Sequence, residues 1–181
     1  MTREFPLHQF AWKILGAVFK KTGRGSESIL FMRKSVQLSP QDAEAHNNLG
    51  VALQELGRLK EAEVSYSNAI NLEPNYIEAH CNLGNTFKDQ GKLDKAIISY
   101  DKAILINSDY AEAYYNKGLA LKLLGKIEEA GENYTKAIEL NADYAEAYNN
   151  LGNVFFEKGK TNEAIEAFKK SILINSDYAD A

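Results

Sequence analysis

Three sets of residues in this chain carry groups able to do chemistry. His46 and His80 stand 34 residues apart, and the second is followed by Cys81, the only cysteine. Imidazole and thiolate are zinc ligands, yet two histidines and one thiol make an incomplete tetrahedral set. Trp12, Tyr114 and Tyr148 fill the same slot elsewhere in the chain, so an aromatic packing role accounts for both histidines. Cys81 has no evident base beside it to activate it as a nucleophile. Glu44, Glu78, Glu112 and Glu146 form a second set, a row of carboxylates at one spacing. Their place at successive helix starts makes capping the better account. No GxxxxGK[ST], G-x-S-x-G or HExxH motif occurs; these would have marked phosphate, acyl-transfer or zinc chemistry. The sequence thus predicts no catalytic residue, no metal site and no cofactor, and the chain alone is not an enzyme.

The third set is Asn48, Asn82, Asn116 and Asn150, again one every 34 residues. An asparagine side chain offers both a carbonyl acceptor and an amide donor. A ladder of them is suited to bonding successive peptide groups of an extended chain, whatever its side chains. Asn85 and Asn153 lie one helical turn further along, and Asn47 and Asn149 stand beside the ladder. All eight are candidate peptide-binding residues. A second account stays open: the asparagines brace an adjacent unit, and duplication has copied them regardless of any ligand. The lysines at 20, 88 and 122, with Lys21 adjacent, read as a solvated face rather than a binding stripe.

Such a ladder needs an element that repeats in register. "YAEAYNNLGN" from Tyr144 is nearly rewritten as "YAEAYYNKGL" from Tyr110, "YIEAHCNLGN" from Tyr76 and "DAEAHNNLGV" from Asp42. A period of this size signals stacked supersecondary units. The frame gives units 9–42, 43–76, 77–110, 111–144 and 145–178. Residues 1–8 read as the tail of a preceding unit, and 179–181 as the start of a further one. Within each unit the apolar spacing is helical. In 43–76, His46, Leu49, Leu53 and Leu56 mark one face of a first helix; Leu59, Ala62, Tyr66, Ala69 and Ile70 mark a second. Gly23, Gly57, Gly91, Gly125 and Gly159 sit between them, where a helix C-terminus favours the left-handed conformation. Each unit is therefore a helix–turn–helix hairpin.

Helix starts are punctuated as well. Asn75-x-x-Glu78, Asp109-x-x-Glu112 and Asp143-x-x-Glu146 have the spacing of a capping box. Pro40 and Pro74 stop the preceding helix; at Ser108, Ala142 and Ser176 the proline is missing, leaving the following Asp to punctuate. A second glycine series (Gly16, Gly50, Gly84, Gly118, Gly152) lies inside the first helices, at about 0.5–1 kcal/mol each relative to alanine. That cost requires a close approach, with the expected partner a small residue of the second helix: Ser28, Ala62, Ala96, Ala130 or Ala164. Ser35, Ala69, Ala103, Ala137 and Ser171 are expected to seat the next unit.

A hairpin of this length with aromatic, Leu-Gly, Ala, aromatic, Ala and Pro at these offsets resembles the tetratricopeptide repeat (TPR), and "AEAHNNLGVALQELGRLKEAEVSYSNAINLEP" from Ala43 matches the pattern closely. The resemblance covers nearly the whole chain. It implies an all-α fold, a right-handed superhelical solenoid of about five units with a concave groove lined by first helices. Lys117 and Gly131 depart from the pattern at apolar positions and weaken the fourth unit's core. The asparagine ladder is similar to that of the TPR arrays of O-GlcNAc transferases, which hold protein substrates by their backbone. TPR arrays that clamp a C-terminal carboxylate are matched only at Lys13 and Asn48; Ala17, Glu78 and Asn82 stand where the clamp has Asn, Lys and Arg.

The resemblance implies a protein or peptide partner in the groove, and, in a longer parent, the recruiting part of a glycosyltransferase or other group-transfer protein. The competing expectation is an assembly module that forms homo-oligomers through terminal repeats, since no polar capping helix is visible at either end and Phe156 is an exposed aromatic near one of them. Net charge is −4 with no basic block, which argues against nucleic acid. No run approaches the roughly 20 apolar residues of a membrane span. A lone cysteine requires no oxidising compartment, and "FAWKILGAVF" is short and carries Lys13. The expected location is cytoplasmic.

Overall fold

The structure is a computed structural model that describes residues 9–175; the readings of 1–8, Ser176 and 179–181 fall outside it. Among the described residues all regular structure is α-helical: α1 (Gln9–Lys21), α2 (Gly25–Leu38), α3 (Ala43–Glu55), α4 (Leu59–Leu72), α5 (Ile77–Asp89), α6 (Leu93–Ile106), α7 (Ala111–Leu123), α8 (Ile127–Leu140), α9 (Ala145–Glu157) and α10 (Thr161–Ile174). The chain divides into two compact units, Met1–Gly91 and Lys92–Ala181. The first contains α1–α5 and the second α6–α10.

In the first unit, α1 pairs with α2 and α3 with α4, while α2 packs on α3 and α4 on α5. Its core is Ile29, Met32, Leu49, Leu53, Ala62 and Tyr66. In the second unit, α7 pairs with α8 and α9 with α10, with α6 against α7 and α8 against α9. Leu121, Ala130, Tyr134, Leu151 and Val154 form its core.

Turn chemistry closes each hairpin. Gly57 adopts φ 70°; its N–H donates to the Gln54 carbonyl at 2.8 Å, and the Arg58 N–H reaches the Leu53 carbonyl at 2.9 Å. This pair of bonds is the Schellman motif, which satisfies carbonyls the helix leaves open. The equivalent glycines at 23, 91, 125 and 159 share that left-handed φ.

The close approach inside the first helices involves a different partner from the one expected. A Cβ at Gly50 would lie 2.6 Å from the Tyr66 ring, and one at Gly118 2.6 Å from the Tyr134 ring. Phe168 stands against Gly152 and Met32 against Gly16 in the same way. The large second-helix residue, rather than the small one, fills the gap, because a flat ring lies across a bare backbone. The small series lets backbones approach instead: Ser28 Oγ donates to the Gly16 carbonyl at 2.8 Å. In the second small series, Ser171 Oγ donates to the Ala145 carbonyl at 2.8 Å, within its own hairpin.

Capping also differs. Among the described helix starts, only α3 has a side-chain cap, with Asp42 accepting from the Ala45 N–H at 2.9 Å. The caps of α5, α7 and α9 are Tyr76, Tyr110 and Tyr144, without side-chain cap bonds. Asn75, Asp109 and Asp143 fall one residue too early to cap. The Asp109 and Asp143 N–H groups donate to Asn107 Oδ1 at 2.9 Å and Asn141 Oδ1 at 3.1 Å. Where proline is missing at Ser108 and Ala142, these asparagines organise the turn.

Candidate functional site

The asparagine set lies on first helices, so its geometry is set by the seams where one first helix meets the next. In the first unit α3 meets α5, and Asn82 donates to Asn47 Oδ1 at 3.1 Å. Further along, Thr86 Oγ1 and Tyr66 Oη both donate to Gln54 Oε1, at 3.2 and 3.0 Å, and Gln54 Nε2 donates to Asp89 at 2.9 Å. These hydrogen bonds tie the row together inside the fold. Asn48 makes one long contact with Glu44 at 3.4 Å, on the exposed surface.

In the second unit α7 and α9 carry the equivalent row. Asn150 donates to Tyr115 Oη at 3.2 Å and to the Glu146 carbonyl at 3.0 Å. Asn82 and Asn150 therefore each spend N–H groups on the residue 35 positions earlier, the brace that the sequence left open as an alternative. Their Oδ1 atoms stay available as acceptors. Asn116 differs: its side chain is 7% exposed, and it makes no hydrogen bond among the described residues. A recessed amide with neither donor nor acceptor used is costly to desolvate. Asn47 is buried, while Asn85, Asn149 and Asn153 are half-buried.

Sequence comparison of the two rows finds a further difference. Gln54 becomes Lys122, Thr86 becomes Val154 and Asp89 becomes Glu157. Tyr134, completely buried, is left with no hydrogen-bond partner for its hydroxyl. Lys122 and Glu157 approach only to 3.9 Å. Burial holds the Tyr134 phenol above its ordinary value, with Tyr115 and Glu157 pushing the same way. The register was legible in the sequence; the orphan hydroxyl is visible only when positions 54 and 122 are compared against one ring.

The remaining candidates fall into structural roles. His46 Nε2 lies 3.0 Å from the Pro40 carbonyl and His80 Nε2 2.9 Å from that of Pro74. Each ring thus ties a first helix to the loop before it. Cys81 is buried, and no group of three metal-ligating side chains occurs among the described residues. Lys13 is bound to Asp42 at 3.4 Å and Glu44 at 2.5 Å, which occupies the one clamp lysine. Lys117 pairs with Asp101 at 2.7 Å, and Lys20 with Glu55 at 2.9 Å. Phe156 is 67% exposed. No described helix is long and apolar enough to cross a membrane.

A family model described as TPR repeat matches residues 55–91, 84–125 and 120–159. Tetratricopeptide repeat models match 145–178 and 31–64. No curated protein matches. Among solved structures, that of MamA is 27% identical, covering 92% of this chain and 97% of its own, with a TM-score of 0.80. PilF of Pseudomonas aeruginosa is 19% identical over 92% of this chain and 76% of its own, with a TM-score of 0.85. YrrB, described as a TPR protein with an unusual peptide-binding site, is 20% identical over 98% and 92%, with a TM-score of 0.71.

Proposed function

The chain belongs to the tetratricopeptide-repeat family, and from that premise we propose that it is a protein-interaction scaffold holding an extended peptide segment along its first-helix faces. The observation that carries this reading is Asn116, an amide recessed to 7% exposure with no bond among the described residues. An extended backbone offers an N–H and a C=O at every residue, the complement of one such amide. Asn82 and Asn150 contribute their free carbonyl oxygens, Asn85 and Asn153 lie on the same two helices, and Asn48 lies on α3. The peptide-binding site described for YrrB supports the reading by kinship of fold. Within a larger group-transfer protein the same face would present its substrate; the asparagine spacing is what supports that extension. The assembly module is the competing reading.

Substitution separates reading from bracing. Asn116→Ala should keep helicity and thermal midpoint while weakening segment binding about tenfold. Asn150→Ala should lose about 1 kcal/mol of stability, the ordinary net worth of one hydrogen bond. Partners captured on the native protein and on Asn116→Ala, alongside circular dichroism of both, make the test. An unchanged partner set with Asn116→Ala, together with a solution mass above the monomer, would replace the groove reading by self-assembly.

A further inference from the structure

One position of the second helices carries Ile29, Ile97 and Ile165, Glu63 in one repeat, and Gly131 in α8. Ile29 is 4% exposed and belongs to the core of the first unit, with Leu49 and Ala52 of α3. Gly131 faces the matching residues of α9: a Cβ there would stand 3.1 Å from a Val154 methyl and 4.0 Å from Leu151. Exchanging Ile–Ala for Gly–Val does not balance, because valine supplies fewer carbons than glycine removes. What remains is an open pocket of about 400 Å³ with Gly131, Leu151, Val154 and Phe155 in its wall, a volume within the range of ligand sites. Its rim is charged. Glu128 reaches Lys158 at 3.0 Å, and Glu139 is held by Lys136 at 3.0 Å. Glu132, exposed and next to Gly131, makes no ion pair among the described residues.

We infer that the α8–α9 groove opened by Gly131 docks an isoleucine or leucine side chain of a partner segment that carries lysine or arginine beside it. The repeat itself names the occupant: where α2 meets α3, isoleucine fills this register from within. An aliphatic side chain arriving from outside regains the apolar burial that glycine forfeits. The basic neighbour pairs with Glu132. An exposed ion pair contributes little, so the apolar insertion carries the affinity and the charge selects among segments. None of the eight candidate asparagines lines this groove, so the site stands apart from the first-helix row and does not depend on it.

The test uses the full chain with leucine and valine methyls labelled for NMR. Three tripeptides blocked at both ends serve as probes: lysine–isoleucine–lysine, lysine–alanine–lysine and glutamate–isoleucine–glutamate. The first is expected to shift the Leu151 and Val154 methyls and to bind about tenfold more tightly than the alanine probe. Its advantage over the glutamate probe should be about threefold. Gly131→Ile combined with Val154→Ala rebuilds the Ile29–Ala52 pair; it should keep helicity and reduce the first probe to the alanine level. Glu132→Gln should cancel the preference for lysine flanks and leave isoleucine favoured over alanine. Asn116→Ala should leave all three affinities unchanged. Equal binding of the isoleucine and alanine probes overturns the site, as does native affinity in a helical double variant. Should the double variant lose helicity, the comparison of probes on the native chain decides alone. A flank preference that survives Glu132→Gln overturns the basic neighbour. A solution mass above the monomer that falls to the monomer in the double variant would give the groove to a second copy of the chain instead.

Discussion

Tyr66 and Tyr134 share a register and a glycine neighbour, yet their hydroxyls meet opposite circumstances. Tyr66 Oη donates to Gln54 at 3.0 Å, whereas Tyr134 Oη is buried without a partner. A hydrogen bond contributes about 1 kcal/mol net, and a buried unsatisfied group costs about 1–3 kcal/mol. Tyr66→Phe should therefore lower stability by about 1 kcal/mol, while Tyr134→Phe should leave it unchanged or raise it. Urea denaturation of both variants reads the sign directly, and equal losses would show that Tyr134 is satisfied. The asparagines teach a related lesson. Their spacing was plain in the sequence, but their bonds were not, because each depends on a residue 35 positions earlier that varies between Asn47 and Tyr115.

At the level of elements, the start of α3 concentrates several interactions on one carboxylate. Asp42 caps the helix through the Ala45 N–H and receives Gln9 Nε2 at 2.6 Å and Lys13 Nζ at 3.4 Å from α1. Partial burial pushes its pKa up, but the Ala45 and Gln9 hydrogen bonds and the Lys13 charge outweigh it, so the carboxyl titrates below its usual range. A depressed carboxyl pKa adds stability that is fully present above the unfolded value, near 3.8, and lost as pH falls through the native one. Asp42→Asn should accordingly cost stability at pH 6 and less at pH 3, as measured by denaturation at both. This cap was not foreseen: the sequence pointed to capping boxes at Asn75, Asp109 and Asp143, and missed that Asn107 and Asn141 take over the turn. A one-residue shift in helix start decides whether an Asp side chain reaches the first-turn N–H groups, and spacing alone does not fix that shift. Gly50 shows the same limit. Its close approach was readable, but whether a ring or a methyl lies against it depends on packing in three dimensions.

Taken whole, the molecule is a repeat whose fold was legible because each hairpin is written locally. Helical periodicity, the turn glycine and the glycine inside the first helix all lie within one 34-residue unit. The division into units ending at Gly91 and beginning at Lys92 was not, since the register runs unbroken through it. The individual ion pairs of the surface were equally illegible, being set by long side chains that choose among neighbours. The turn glycines carry a further consequence. None of Gly23, Gly57, Gly91, Gly125 and Gly159 has any atom within 4 Å of where a Cβ would stand. An alanine at any of them meets open space, and its penalty is the left-handed backbone alone, about 1 kcal/mol. The chain thus contains five equal weights placed at regular intervals along its length. Loaded one at a time, they should depress a single cooperative unfolding transition by the same amount, read as five matching midpoints. If unfolding begins in one region, amide exchange there will accelerate only for the weights that region carries. A repeat built by copying comes with its own graduated scale.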